Sequence, residues 1–423
     1  MTRSSSLGGL FFDFQLLLIL FVAFRVTLFL AYQPFLIEGA ERGVSVGGDR
    51  AYHYALTQLA DKNLLPFRDW WSEFPPVWYS TTTAAYLVLG RAATYDNWSL
   101  VLAMLVIVAE AGTLTLVRKI GMRLHGDATG MALAWIYALL IVPVVFMWWN
   151  FDSLLTFFTL AGLWSLLIGK NVESGLWIGL GALTKFISVL LYGALIRFYP
   201  VRRAITIISV SLGFFVAVYA VLFAVNRDFA LVSLTAQFNK PSYQTMWALL
   251  DGNYGTGNFG TIESHLTADG VSDGVSDKNP ALIPSIVRLG VALAIGIFVF
   301  LRVRRFDQLG VVAFFTLTLL IFYLQSQGWS PQWLTLILPL TLLVMPNRNG
   351  ALLCVMLSLL AFIEYPYLFV RTGDTGGQIL PSSPFFVMWV IVVVTRTFLL
   401  ISIAISCYQR LLTLPNPELR IER

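Results

Sequence analysis

The sequence predicts an all-α polytopic membrane protein, a bundle of transmembrane helices with one chemically rich face. Three observations carry that expectation. Of 423 residues, 57% are hydrophobic and 12% charged, against roughly 25% charge in a soluble globular chain. Apolar stretches of the ~17–25 residues needed for one helical crossing recur along nearly the whole length. The ~10-residue alternation of a transmembrane β-barrel is missing. The whole chain, 1–423, reads as one integral membrane domain with an outer loop at 34–76 and a long outer loop at 226–281.

The elements follow in order. FFDFQLLLILFVAFRVTLFLAY (11–32) is too long for a secretory-signal core and precedes no small-x-small cleavage site, so it is an uncleaved first helix. Between Arg50 and Lys62, the residues Ala51, Ala55, Leu56, Leu59 and Ala60 recur at helical spacing. That pattern predicts a short amphipathic helix on the membrane interface. Residues 77–90, after Pro75-Pro76, are too few to cross and stay at the outer interface or dip and return. Further apolar segments lie at 98–117, 130–149, 152–169, 174–199, 204–225, 282–301, 309–326, 331–346, 350–369 and 385–407. Basic clusters at Arg118/Lys119/Arg123, Lys170, Arg197/Arg202/Arg203, Arg302/Arg304/Arg305, Arg348 and Arg410 mark the cytoplasmic ends. They fall on one side only if 174–199 goes in and comes back, broken at Leu183-Thr184-Lys185. A bundle of about 11–13 crossings with both termini inside results.

Composition also excludes function classes. Cys354 and Cys407 lie in apolar segments and offer no disulfide framework. The net charge of +5 reflects loop arginines, with no basic block longer than RVRR (302–305), so no nucleic-acid partner is expected. HExxH, CxxC and G-x-S-x-G are missing, which removes support for metalloprotease, zinc and α/β-hydrolase chemistry.

The unusual polar residues gather on the outer face. GGDRAYHY (47–54) sets Asp49 beside Arg50, Tyr52 and His53 at the start of the interface helix. Asp49 either caps that helix or acts as a general acid or base, which typically contributes ~10²–10⁴-fold. PFRDWWSEFPP (66–76) holds Arg68, Asp69 and Glu73 among aromatics. Arg68 presents a planar fork suited to phosphate, and Glu73 would steer an acceptor hydroxyl; an Arg68–Glu73 ion pair is the plainer alternative. Asp152, in WWNFDS (148–153), opens the next helix on the same face, where capping is again the plain reading. Lys185, in GALTKF (181–186), is a cation inside an apolar segment, tolerated where it lines a polar cavity and suited to an anionic phosphate. Gln325, Gln327, Trp329, Pro331 and Gln332 form a corner of amides and indole able to meet sugar hydroxyls. The Gly-rich run 251–260 and DGVSDGVSD (269–277) lack the context of a phosphate loop or an EF-hand and read as loop.

The order of these motifs resembles the GT-C superfamily of membrane glycosyltransferases, which use polyprenyl-phosphate sugars as donors. It is most similar to the bacterial and archaeal mannosyltransferase-like branch. The resemblance implies transfer of a hexose, mannose in that branch, to a lipid, glycan or protein hydroxyl at the outer face of the cytoplasmic membrane. It implies Asp49 as catalytic base; Arg68, Lys185 and Gln332 as donor or phosphate contacts; and Tyr52, His53, Asp69, Glu73, Asp152, Gln327 and Trp329 as acceptor or supporting residues. The acidic metal constellation of the oligosaccharyltransferase branch is not evident, so neither a metal nor another cofactor is expected. Expected partners are the lipid-linked donor, membrane lipids and a lipid or glycan acceptor. The rival class is a lipid or sugar transporter or flippase, since broken helices with buried lysines also occur there. No internal repeat supports it, and the polar residues crowd one face instead of the midplane.

Overall fold

A computed structural model describes residues 7–31, 48–90, 93–140, 142, 150–238, 240–255, 257, 260–272, 278–368, 371 and 379–421. Residues 34–47 of the first outer loop, Trp148-Trp149 and residues 273–277 of the acidic run lie outside these. Among the described residues there is no named strand, only isolated bridges. The protein is an all-α polytopic membrane protein. Among the described residues, six helices are long and apolar enough to cross a membrane, and four shorter apolar helices accompany them.

After one helical turn at Leu7–Leu10, the helices run α1 Phe14–Ala31, α2 Gly48–Gln58, α3 Pro76–Leu89, α4 Tyr95–His125, α5 Asp127–Leu139 and α6 Asp152–Leu167. They continue with α7 Asn171–Ala182, α8 Leu191–Phe198, α9 Val201–Val225, α10 Arg227–Thr235 and α11 Met246–Asp251. The last are α12 Ser285–Arg302, α13 Gln308–Gln325, α14 Leu334–Val344, α15 Arg348–Phe362 and α16 Phe386–Leu412. Every residue of α14 is buried, as expected of a helix that is apolar all round. In contrast α9, α12 and α16 expose Leu212, Val216, Ile286, Leu293, Ile391 and Phe398, an outward apolar surface that suits lipid.

The basic clusters meet at one end of the bundle. Arg123 donates to Gln308 Oε1 (2.6 Å), His125 pairs with the Leu343 carbonyl (2.7 Å), and Arg203 donates to Asn171 Oδ1 (2.7 Å). Arg197 reaches the Phe300 carbonyl (2.6 Å), and Arg305 bonds Asp307 and Thr413. Both chain ends come here too: Phe14 lies under Arg118, and the Asn416 amide donates to Asp307 (2.8 Å).

The short segments turn at the opposite end. The α6–α7 hairpin carries the chain back beside Asp152, then breaks at Lys185, whose backbone is extended (φ −162°, ψ 136°). A 3-10 turn, Phe186–Leu190, and α8 return to the basic end. Lys185 therefore sits at the tip of a re-entrant pair, close to the face. Gly175 and Gly179 let α7 pack closely on α9: a Cβ on Gly175 would stand 2.8 Å from the Ile207 carbonyl, and one on Gly179 3.0 Å from that of Ser211. Small residues one turn apart let two membrane helices approach along their backbones. The 14-residue α3 starts at Pro76, which suits the first helical position. Its Val77 amide donates to the Leu183 carbonyl (3.0 Å), tying residues 73–77 to the Lys185 break. The interface helix predicted over 50–62 is α2 with a 3-10 turn at Leu59–Lys62, and it buries Arg50, His53 and Leu56 against α3 and α4.

Candidate active site

Five charged side chains from five segments converge at the end opposite the basic clusters. Asp152 is the first residue of α6, and its own amide is capped by Asn150 Oδ1 (2.7 Å). Capping thus falls to Asn150, which frees the Asp152 carboxylate. Its Oδ1 accepts from Lys185 Nζ (3.0 Å), with the two side chains 2% and 12% exposed. Its Oδ2 is buried and unpartnered among the described residues. The Lys185 ammonium also faces the rings of Phe74 (5.7 Å), Phe151 (5.6 Å) and Trp333 (5.2 Å), an aromatic setting that favours a cation.

Glu73, buried just before the Pro75-Pro76 turn, forms the second pair. Lys240 from the long loop bonds its Oε2, and Gln237 Nε2 adds a contact at 3.3 Å. Asp49 lies in the first turn of α2, half-buried, and no described group donates a hydrogen bond to it. It lies inside the helix without making a cap. Burial pushes its carboxyl up to about 7; Glu73 and Asp152 push the same way, while Lys240 and Lys185 oppose. Three carboxylates against two lysines leave an acid excess, so one proton is held near neutrality.

Aromatic groups wall the cluster. His53 is buried between Tyr79 (5.2 Å) and Trp78 (5.8 Å), and burial lowers its pKa to about 3, so it is a neutral ring. His265 stacks on Trp71 (4.1 Å), and its Nδ1 contacts the Trp71 carbonyl (2.7 Å). Nδ1 must donate there, so Nε2 is the acceptor for the Tyr52 hydroxyl. The Trp71 amide and indole return bonds to the carbonyls of His265, Ser264 and Thr267. Tyr243 is half-buried where Glu73, Asp49 and Asp152 all act on it, and desolvation pushes its hydroxyl up to about 12. Gly328 leaves room for that ring, since a Cβ would stand 2.2 Å from it.

The residues singled out in the sequence divide accordingly. Asp49, Glu73, Asp152 and Lys185 come together, with Tyr52 and His53 in the wall. Arg68 lies apart: its side chain is 49% exposed and pairs with Asp69 (2.7 Å), not with Glu73. Asp69 also accepts from the Leu65 amide (2.8 Å), holding a surface turn. Gln327 is committed to Ser285 and the Gln237 carbonyl, and its own carbonyl accepts from Tyr243. Trp329 is buried under Arg396 (4.5 Å), which pairs with Glu364. Gln332 sits half-buried next to Trp333. Sequence reasoning missed Lys240, Gln237, Tyr243 and His265. The available signal was that Lys240 is one of three Lys and Arg residues in the 226–281 loop. Among the described residues no three His, Cys, Asp or Glu are grouped to hold a metal ion.

No family profile and no curated protein matches the chain. Among solved structures it is similar to the apo oligosaccharyltransferase of Archaeoglobus fulgidus, at 11% identity and TM-score 0.47, over 96% of this chain and 57% of that one. It is similar to ArnT from Cupriavidus metallidurans bound to undecaprenyl phosphate, at 12% identity and TM-score 0.47, over 92% of this chain and 77% of that one. A third is the archaeal oligosaccharyltransferase AglB of A. fulgidus in complex with an inhibitory peptide and a dolichol-phosphate, at 11% identity and TM-score 0.46, over 95% and 56%. The chain spans a little over half the length of the archaeal enzyme.

Proposed function

We propose that the protein is a GT-C-type transferase that moves a hexose from a polyprenyl-phosphate donor to a lipid, glycan or protein hydroxyl. The observation that carries this reading is an unpaired Asp49 with a pKa about 7, set beside two lysines each held by its own carboxylate. An acceptor oxygen would bond the anomeric carbon while its proton passes to Asp49. The bond from that carbon to the phosphate oxygen breaks, and the electron pair leaves with the phosphate. A single carboxylate suffices for such an inverting displacement, whereas the usual hydrolytic glycosidases need two. Lys185 and Lys240 stand ready to meet the charge gathering on the leaving phosphate, commonly the largest catalytic contribution. The role that motif order assigns to Arg68 falls to Lys240 in this scheme.

Mannose as the donor sugar rests on motif order alone. The outer face of the cytoplasmic membrane rests on the basic clusters at the far end. Against transport, the charges stand at one end, and the wholly buried apolar α14 runs inward from them. The test is mannose transfer from polyprenyl-phosphate mannose by the purified protein in lipid, with wild type beside Asp49→Asn. Transfer by wild type and a loss of at least 10²-fold in a folded variant is expected. Transfer undiminished in the variant would remove Asp49 as base. Absence of transfer with polyprenyl-phosphate hexoses would end the transferase reading.

A further inference from the structure

The two faces of α2 serve different neighbours. Residues four apart share a helix face, and adjacent ones do not. Asp49 and His53 face the charged cluster, while Arg50 and Tyr54 face the start of α4. Tyr54 lies 5.3 Å from Tyr95 and 5.3 Å from Trp98, and its hydroxyl donates to the Ala93 carbonyl (2.5 Å). Arg50 is 2% exposed, its guanidinium 5.8 Å from the Tyr95 ring and 5.7 Å from that of Phe29, in the last turns of α1. Its Nε and Nη2 are buried with no hydrogen-bond partner among the described residues. The Tyr95 hydroxyl and Ser99 Oγ, one turn apart on one face of α4, are buried beside each other, and among the described residues neither has a hydrogen-bond partner outside this pair.

Asp96 and Tyr365 are the other titratable groups acting on Arg50. Neither forms an ion pair with it, and burial lowers the guanidinium pKa to about 10. Two ring faces offset part of that burial, but buried guanidinium N–H groups without acceptors are costly. An anion with several oxygens supplies what is missing, and phosphate matches the guanidinium fork. The site stands at the end of the apolar span of α1, the depth of a lipid headgroup.

We propose that Arg50, Tyr95 and Ser99 form a second anion subsite, separate from the Asp49 cluster, which takes the phosphate of a membrane lipid. That chemistry is shared by a bilayer phospholipid and a polyprenyl phosphate. The subsite does not depend on the transfer reaction.

The test uses the full chain, delipidated in neutral detergent and carrying Asp152→Asn with Lys185→Met and Glu73→Gln with Lys240→Met, so that both lysines of the first cluster are gone. Binding of short-chain phosphatidylglycerol, polyprenyl phosphate and inorganic phosphate is read by native mass spectrometry and by the shift in Tm. A saturable lipid site that raises Tm is expected, weakened at least tenfold by Arg50→Gln and several-fold by Tyr95→Phe with Ser99→Ala. Arg50→Lys, which keeps charge without the fork, should fall between, and it carries the test with the Tyr95/Ser99 pair if Arg50→Gln fails to fold. Binding of both lipids assigns the site to bilayer headgroups, and binding of polyprenyl phosphate alone assigns it to the carrier. Binding of inorganic phosphate without either lipid overturns the lipid assignment. The subsite itself is overturned if nothing binds, or if all three variants bind as the parent does.

Discussion

Asp49 is defined by what it lacks. Its neighbours Asp152 and Glu73 each hold a lysine, and the remaining carboxylate carries the acid excess of the cluster. A base must be unprotonated, so kcat/KM should rise with pH along an acid limb centred near 7. A limb near 4 would put the base elsewhere. The same shift has a stability consequence. The folded pKa of about 7 lies above the ordinary aspartate value of 3.8, so between them the folded chain holds a proton that the unfolded chain releases. The advantage of that proton is full below the lower value and fades as pH climbs through the upper one. Asp49→Asn should therefore be more stable than wild type at pH 8, by roughly 4 kcal/mol, and come close to it at pH 4. Thermal unfolding at both values checks this; equal curves at pH 8 would contradict it. Lys185 differs, because it sits in a buried pair. Lys185→Met alone should cost about 3–5 kcal/mol by stranding Asp152, and adding Asp152→Asn should restore most of that without restoring transfer. Denaturation midpoints of the single and double variants decide.

At the scale of elements, the site is assembled by ties between loops. The Trp71–His265 stack and its reciprocal bonds clamp residues 264–267 onto the first loop. Tyr243 pairs with Gln327 and Trp329 along the backbone, and its ring fills the space above Gly328. Gly328→Ala should displace that ring and cost about 1–3 kcal/mol, the range for overpacking. Loss of the half-buried tyrosine signal together with a lowered Tm would show it; an unchanged Tm would mean the ring moves freely. These ties were illegible in the sequence. Nothing about Lys240 or His265 is periodic, and a loop residue's destination depends on which other loop lies beside it. Asp49, Asp152 and Lys185 were legible because each interrupts an apolar pattern at its edge, where a charge needs a reason. Arg68 stands out by the same logic, and there its aromatic neighbours turn inward while it pairs with Asp69 at the surface.

For the whole molecule, the strongest regularity is the segregation of charge between its ends. Arg123, Arg197, Arg203 and Arg305 interlock at one end, and the Asp49 cluster lies at the other. The proposed orientation, with the basic end in the cytoplasm, follows the positive-inside rule. A cysteine at Asn97, exposed near the cluster, should react with an impermeant maleimide added outside intact cells, and one at Arg348 should not. The native Cys354 and Cys407 are buried and should stay silent. Labelling of the Arg348 site alone would invert the orientation and with it the face assigned to transfer.

The sequence by itself determined the solvent and the class of fold. Length and apolarity of a segment are local quantities, and a bilayer reads them directly. It also determined the break at Lys185, because the arginine clusters could share one side only if 174–199 reversed there. The tertiary structure alone decided which acid is paired. Asp49, Glu73 and Asp152 are alike as isolated carboxylates, and their difference arises from two lysines that approach from separate segments. A pKa near 7 belongs to that arrangement, since burial and neighbouring charge, which set it, exist only after the chain has closed.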